Sequence, residues 1–167
     1  MNPGMKIAVT DKHRKAFLQL VAEICAELGL PPCDSDLKND ETLIMEMGLE
    51  GIGFSVVHCL SNQPDWLLIE ANFGKLPHER RTAVLYRMLH LNRELAEAGQ
   101  AAFTLDEGSG DVIYTHAAAL ADSSGKEMLG TMTDITWRGE HWKKTWFLEE
   151  SRRSDAEVTD QRWISLA

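Results

Sequence analysis

A chain of 167 residues fits one domain on the usual scale of about 100–200 residues each, and 44% apolar with 26% charged residues is the balance of a folded globular protein. Seventeen Lys and Arg against 26 Asp and Glu leave a formal charge of −9, which repels phosphate backbones and anionic lipid, so nucleic acid and membrane surfaces are poor expectations as partners. Cys25, Cys33 and Cys59 are too irregularly spaced for a disulfide framework, and no stretch has the form of a secretory signal or the roughly 18 apolar residues of a membrane span, so a cytoplasmic setting with reduced thiols is expected.

After a short flexible start, Thr10 or Asp11 can cap a helix whose Phe17, Leu20, Val21, Ile24 and Leu28 recur at three- and four-residue steps, ending at Gly29 before Pro31-Pro32. From Glu41 the period falls to two. Leu43, Met45 and Met47 alternate with Thr42, Ile44 and Glu46, and after Glu50-Gly51 the residues Ile52, Phe54, Val56, His58 and Leu60 alternate with Gly53, Ser55, Val57 and Cys59. A third strand over 66–73 follows a turn at 61–65, and short turns between strands predict an antiparallel meander. A second helix spans 77–98 and stops at Gly99; its Val84, Leu85, Met88, Leu89, Leu91 and Leu95 cover more than one stripe, so it needs two partners. Strands over 101–106 and 111–120 flank the turn residues Glu107-Gly108-Ser109-Gly110. A third helix opens near Ser123 or Ser124, with a break expected near Gly139, and a polar, flexible tail runs from 149 to 167. The expected class is α+β: an antiparallel, twisted sheet of about five strands with helices packed on it, in the order α-β-β-β-α-β-β-α. The expected organisation is one domain over 1–148 followed by the tail.

Motifs for catalysis or cofactors fail on spacing. A calcium loop read from Asp34 has Lys38, Asn39 and Met45 where an oxygen ligand, a glycine and a bidentate Glu are required. Ser124-Gly125-Lys126 lacks the first glycine of a phosphate loop, since Leu120 stands there, and Gly51-x-Gly53 lies between two strands without a third glycine. The six histidines have no zinc-site spacing, and His58 and Cys59, adjacent on a strand, point to opposite faces. Arg80-Arg81 with Lys75 and His78 is too short a basic cluster to outweigh the acidic chain, and Trp137, Trp142 and Trp146 lie far from it in sequence. Seven methionines supply adaptable apolar surface, suited to a core or to a binding groove.

Two stretches then carry a resemblance. Trp66-Leu67-Leu68-Ile69-Glu70-Ala71-Asn72-Phe73-Gly74-Lys75-Leu76-Pro77 leads into Leu85-Tyr86-Arg87-Met88-Leu89-His90-Leu91-Asn92; Gly99-Gln100-Ala101-Ala102-Phe103-Thr104-Leu105-Asp106 leads into Gly110-Asp111-Val112-Ile113-Tyr114. In this order, over about residues 11–147, the chain resembles the class I type III secretion chaperones of the Tir-chaperone family. The resemblance implies a bacterial, cytoplasmic, virulence-associated homodimer that binds the N-terminal segment of a secreted effector, keeps it soluble and delivers it to the export apparatus, with the secretion ATPase as a further contact. It implies no catalysis and no cofactor or metal. On this reading Phe17, Leu20, Leu43, Met45, Ile52, Phe54 and Val56 are the candidate effector contacts, with some of them necessarily core, and Leu85, Met88, Leu89 and Leu95 are the candidate dimer contacts. Two other readings stay open: a cytosolic regulatory or stress adaptor of similar fold, and a small enzyme with a site assembled from residues such as His58, Glu70 and His116.

Overall fold

The computed structural model describes residues 3–31, 42–99 and 101–148; the expected tail over 149–167 lies outside them. Helix α1 (Pro3–Glu27) precedes strands β1 (Thr42–Leu49), β2 (Ile52–Cys59) and β3 (Trp66–Lys75), and helix α2 (Arg81–Ala98) leads to β4 (Ala101–Leu105) and β5 (Asp111–Ala119). A single 3-10 turn (Leu120–Asp122) joins β5 to helix α3 (Gly125–Thr145). The strands form one antiparallel sheet in the order β1-β2-β3-β5-β4.

The β1–β2 hairpin is set by its two-residue turn. Glu50 and Gly51 both have positive φ, 48° and 80°, the conformation whose twist matches the flanking strands. This pins Leu49 opposite Ile52 and carries an unbroken register back to Thr42 opposite Cys59. Side chains therefore sort into two faces. Leu43, Ile52, Phe54, Val56, Leu67, Ile69, Ala71, Phe73, Phe103, Val112 and Tyr114 lie on the inner face, all buried. Against it pack α1, through Phe17, Leu20, Val21 and Ile24, and α3, through Met128, Met132, Ile135 and Trp142.

Two glycines allow this layer to close. Gly125, at the start of α3, sits so near α1 that a Cβ there would come within 2.7–2.9 Å of Glu23 and the Ile24 nitrogen, and the Gly125 N–H donates to the Glu23 carboxylate at 3.0 Å. Ser124 caps the same helix in a reciprocal pair with Glu127, which holds the Glu127 carboxyl below its ordinary range. Gly139 does not break α3 as expected. The helix runs through it, and a Cβ there would lie 2.7 Å from Ile52 and 3.2 Å from Phe73, so glycine is what lets the helix touch the sheet.

Two other boundaries move. Helix α1 begins at Pro3 rather than near Thr10, with proline in the first turn, where its missing N–H is no loss. Helix α2 begins at Arg81 instead of Pro77, because 78–80 form a turn; it ends as expected on Gly99, at φ 80° with its N–H on the Leu95 and Ala96 carbonyls.

Gly125→Ala and Gly139→Ala should each cost about 1–3 kcal/mol, the usual range for overpacking, despite alanine's better helix propensity. Thermal unfolding should show a melting temperature lowered by several degrees for both. An unchanged or raised value would mean that the helices can move apart without loss.

Candidate functional site

The second face of the sheet has no helix on it among the described residues. Register places its side chains in four rows: Thr42, Cys59 and Trp66 with Ala119; Ile44, Val57, Leu68 and Ala117; Glu46, Ser55, Glu70, Thr115 and Ala102; and Gly48, Gly53, Asn72, Ile113 and Thr104. Ile44, Trp66 and Leu68 keep 51%, 44% and 37% of their surface exposed, enough to make the first two rows an apolar patch. The last two rows and the β4–β5 turn enclose an open depression of about 800 Å³ whose lining includes Glu46, Glu70, Asp106 and Asp111 but no Lys or Arg.

The sheet's two edges differ. On β4 the Phe103 N–H donates to the Asn92 side-chain oxygen at 2.6 Å, and the Asn92 amide donates to the Phe103 carbonyl at 2.9 Å, so α2 occupies that edge. On β1, the hairpin alternation that bonds Leu49 to Ile52 turns the N–H and C=O groups of Thr42, Ile44, Glu46 and Gly48 away from β2. Nothing among the described residues pairs with them, which makes β1 the strand able to accept another.

The turn beside the depression is tightly bonded. Asp106 accepts from the Ser109 N–H at 2.5 Å, Asn72 donates to Asp111 at 3.0 Å, and Lys75 bridges Asp111 at 3.0 Å and the Ser109 carbonyl at 2.5 Å across the bulge at Gly74. The Ser109 hydrogen bonds hold the Asp106 carboxyl below its ordinary range, and the Asn72 and Lys75 hydrogen bonds do the same for Asp111.

All seven expected partner contacts lie on the other face or on the helix against it. Phe17, Leu20, Leu43, Ile52, Phe54 and Val56 are 0–3% exposed between the sheet and α1–α3, where a partner could reach them only by opening the core, and Met45 is half-buried on the same inner face. The reason is parity: the more apolar set of strand positions faces the helices, and the other set, with Ile44, Trp66 and Leu68 exposed and Val57 half-buried, faces away from them. Of the expected dimer contacts on α2, Leu89 is 68% exposed, Leu85 and Leu95 are half-buried, and Met88 is core; Tyr86, not anticipated, is 66% exposed.

The residues proposed for an assembled catalytic site do not converge. His58 is buried on the inner face, its ring stacked on Phe17 and its Nε2–H donating to the Pro64 carbonyl at 2.8 Å, so it braces the β2–β3 turn. His116 shares that face, where burial and then Arg138 push its pKa down, while Glu70 projects from the opposite face. Trp142 is core; Trp146 lies under the Arg80 guanidinium at 5.8 Å, so the basic cluster and a tryptophan do meet, as a brace between α2 and the end of α3. No group of His, Cys, Asp and Glu among the described residues could hold a metal ion, and no described helix is long and apolar enough to cross a membrane.

With this geometry in view, comparison with known proteins gives a consistent result. The model of the Tir chaperone protein (CesT) family matches residues 19–134, and the chain belongs to that family. No curated sequence matches it. Among solved structures, a chain of the ExsC–ExsE complex is similar at TM-score 0.64 and 19% identity, over 81% of this chain and 96% of that one. The Yersinia pestis type III secretion chaperone SycH, in complex with a stable fragment of YscM2, gives TM-score 0.55 and 17% identity over 75% and 98% of the two chains. The HopA1–SchA chaperone–effector complex gives 0.54 and 16% over 77% and 94%. At these identities the likeness is one of fold, and the five-stranded antiparallel sheet with its helices is the α+β architecture expected from the sequence.

The bonded turn gives a pH prediction. Carboxyls held below their unfolded value contribute stability that is complete above the ordinary carboxylate range and is withdrawn as pH falls through the lower folded-state values. The protection of the Ser109 amide relative to its intrinsic exchange rate, followed by NMR, should therefore be lost only at acid pH below that range. Loss of protection already near pH 6 would show that Asp106 does not hold the turn.

Proposed function

We propose that this protein is a type III secretion chaperone that binds the N-terminal segment of a secreted effector on the bare sheet face and along the open β1 edge. Family membership sets the class, and the observation that carries the mode of binding is a sheet that, among the described residues, is covered on one side only and unblocked at one edge. Magnitudes say that both features are needed. Covering the exposed parts of Ile44, Trp66 and Leu68 is worth about 2–3 kcal/mol each before the cost of association is subtracted, so on its own it falls short of the roughly 8 kcal/mol net of a micromolar complex. Backbone pairing with Thr42, Ile44, Glu46 and Gly48 supplies the rest, and it suits an extended segment because the partner's own backbone groups are satisfied in the same act. Such a segment stays unfolded while bound, the state in which an export apparatus and its ATPase would receive it. The protein itself performs no covalent step on this reading and works in the bacterial cytoplasm.

The second part of the reading is a homodimer through α2. Its inner side is committed to the core by Val84 and Met88 and to β4 by Asn92, while Tyr86 and Leu89 project outward together, with His90 edge-on to the Tyr86 ring at 4.7 Å. An exposed tyrosine and leucine one turn apart are the kind of anchors a helix–helix interface uses. Arg87, whose Nε–H reaches the Phe147 carbonyl at 3.2 Å, ties this helix to the end of α3.

Two substitutions separate these roles. Leu68→Asp should leave fold and dimer intact and weaken retention of the cognate effector segment at least tenfold when the two are co-expressed and purified. Leu89→Asp should shift the light-scattering mass from about twice 18.7 kDa to the single-chain value. If no segment of any secreted protein encoded beside this chain is retained by the unaltered protein, the chaperone reading fails. If Leu89→Asp leaves the mass unchanged, only the α2 interface is lost.

A further inference from the structure

The bare face is divided along the strands. Successive rows on one face of a sheet stand about 6.8 Å apart, so the apolar row of Ile44, Val57 and Leu68 lies one step from the row that carries Glu46 and Glu70. Glu46 and Glu70 themselves sit two strands apart, about 10 Å, with Ser55 between them. Neither has an ion pair or hydrogen bond among the described residues. The other two acids of the depression, Asp106 and Asp111, are already engaged by Ser109, Asn72 and Lys75. Beyond Glu46 the floor is open: a Cβ on Gly48 or Gly53 would meet nothing within 4 Å. An uncompensated carboxylate pair above bare backbone leaves room and charge for a long cationic side chain, and the apolar row beside it leaves room for a large hydrophobic one.

We propose that the segment accepted by this face is itself divided, with a large apolar residue over Ile44, Val57 and Leu68 and a Lys or Arg entering the depression between Glu46 and Glu70. This rests on the reading that the face and the β1 edge hold a partner segment. In a strand added to β1, residues that share a face are two apart. The apolar and cationic residues therefore fall two apart, the apolar one first in a strand parallel to β1 and the cationic one first in an antiparallel strand. The chemistry selects a basic amphipathic stretch and disfavours one in which the same position is acidic, because a carboxylate there would face two others. For a given order of the two residues it also sets the bound direction, since the reversed strand would place its cation beside Ile44 and its apolar residue beside Glu46.

The test uses the full-length protein and two synthetic strand-length peptides that share alternating large apolar residues and differ only in carrying Lys or Gln at the cationic position. In buffer of about 50 mM salt the Lys peptide should bind about fivefold more tightly than the Gln peptide, and the gap should shrink at about 0.5 M salt. The double variant Glu46→Gln/Glu70→Gln should bind both peptides as the unaltered protein binds the Gln peptide. Gly53→Leu, whose Cβ would meet nothing within 4 Å and whose side chain would take up room in the depression, should weaken the Lys peptide more than the Gln peptide. Equal binding of the two peptides, or a gap that persists in the double variant, overturns this proposal and leaves the chaperone reading standing. Binding of neither peptide overturns both. A change of light-scattering mass in the double variant in place of any change in peptide affinity would make the face an interface between copies of the chain, and would equally overturn the proposal.

Discussion

A five-stranded sheet has two faces, and among the described residues only one of them is given helices to bury it. Most inner-face side chains are withdrawn from water, with those nearest the sheet edges half-buried, while Ile44, Trp66 and Leu68 on the other face are left with about a third to a half of their surface exposed. The covered face pays for the fold, through close packing of α1 and α3 at Gly125 and Gly139. The bare face is then free to carry residues that stability alone would not choose. The same division holds at the edges: Asn92 closes the β4 side, and β1 is left with its outward N–H and C=O groups.

Several contacts brace the open face from behind. His58 reaches from the core to the Pro64 carbonyl, His13 of α1 bonds Asp65 at 3.0 Å, and the Leu120 N–H donates to the Asp65 carbonyl at 2.8 Å, so the turn before Trp66 is held from three elements. The Asp106–Ser109–Asp111 network fixes the far wall of the depression. Holding these residues in place before a partner arrives limits the ordering cost of binding to the partner's own chain. At the opposite end, Trp146 and Phe147 adopt positive φ, 50° and 57°, without being glycine; Phe147 is buried against Phe103 and Trp142, which offsets the strain.

Much of this was legible in the sequence. The change of period at Glu41, the Glu50-Gly51 turn, the stop at Gly99 and the cap at Ser124 are local signals, and each marks the structure within a few residues. The division of strand residues into two parities was also correct. What failed was the assignment of parity to solvent: Leu43, Ile52, Phe54 and Val56 were offered as partner contacts although they form the more apolar set, and Thr42, Glu46, Gly48, Gly53 and Ser55 on the other parity already mark the wet side. Weighing one parity against the other would have found Ile44, Trp66 and Leu68 as surface residues. Other features had no local signal. Gly139 reads as a breaker until Ile52 is seen against it, and the pairing of Asn92 with Phe103 joins residues 11 apart through a contact that periodicity does not carry.

The central claim is that the partner lies on the uncovered face and along β1. Amide hydrogen exchange, measured on the free protein and on its complex with a retained effector segment, addresses it directly. The amides of Thr42, Ile44, Glu46 and Gly48 point away from β2 and should exchange fast in the free protein and slowly in the complex, with α1 and α3 unchanged. Protection confined to α1 and α3, with those four amides as fast as before, would contradict the account.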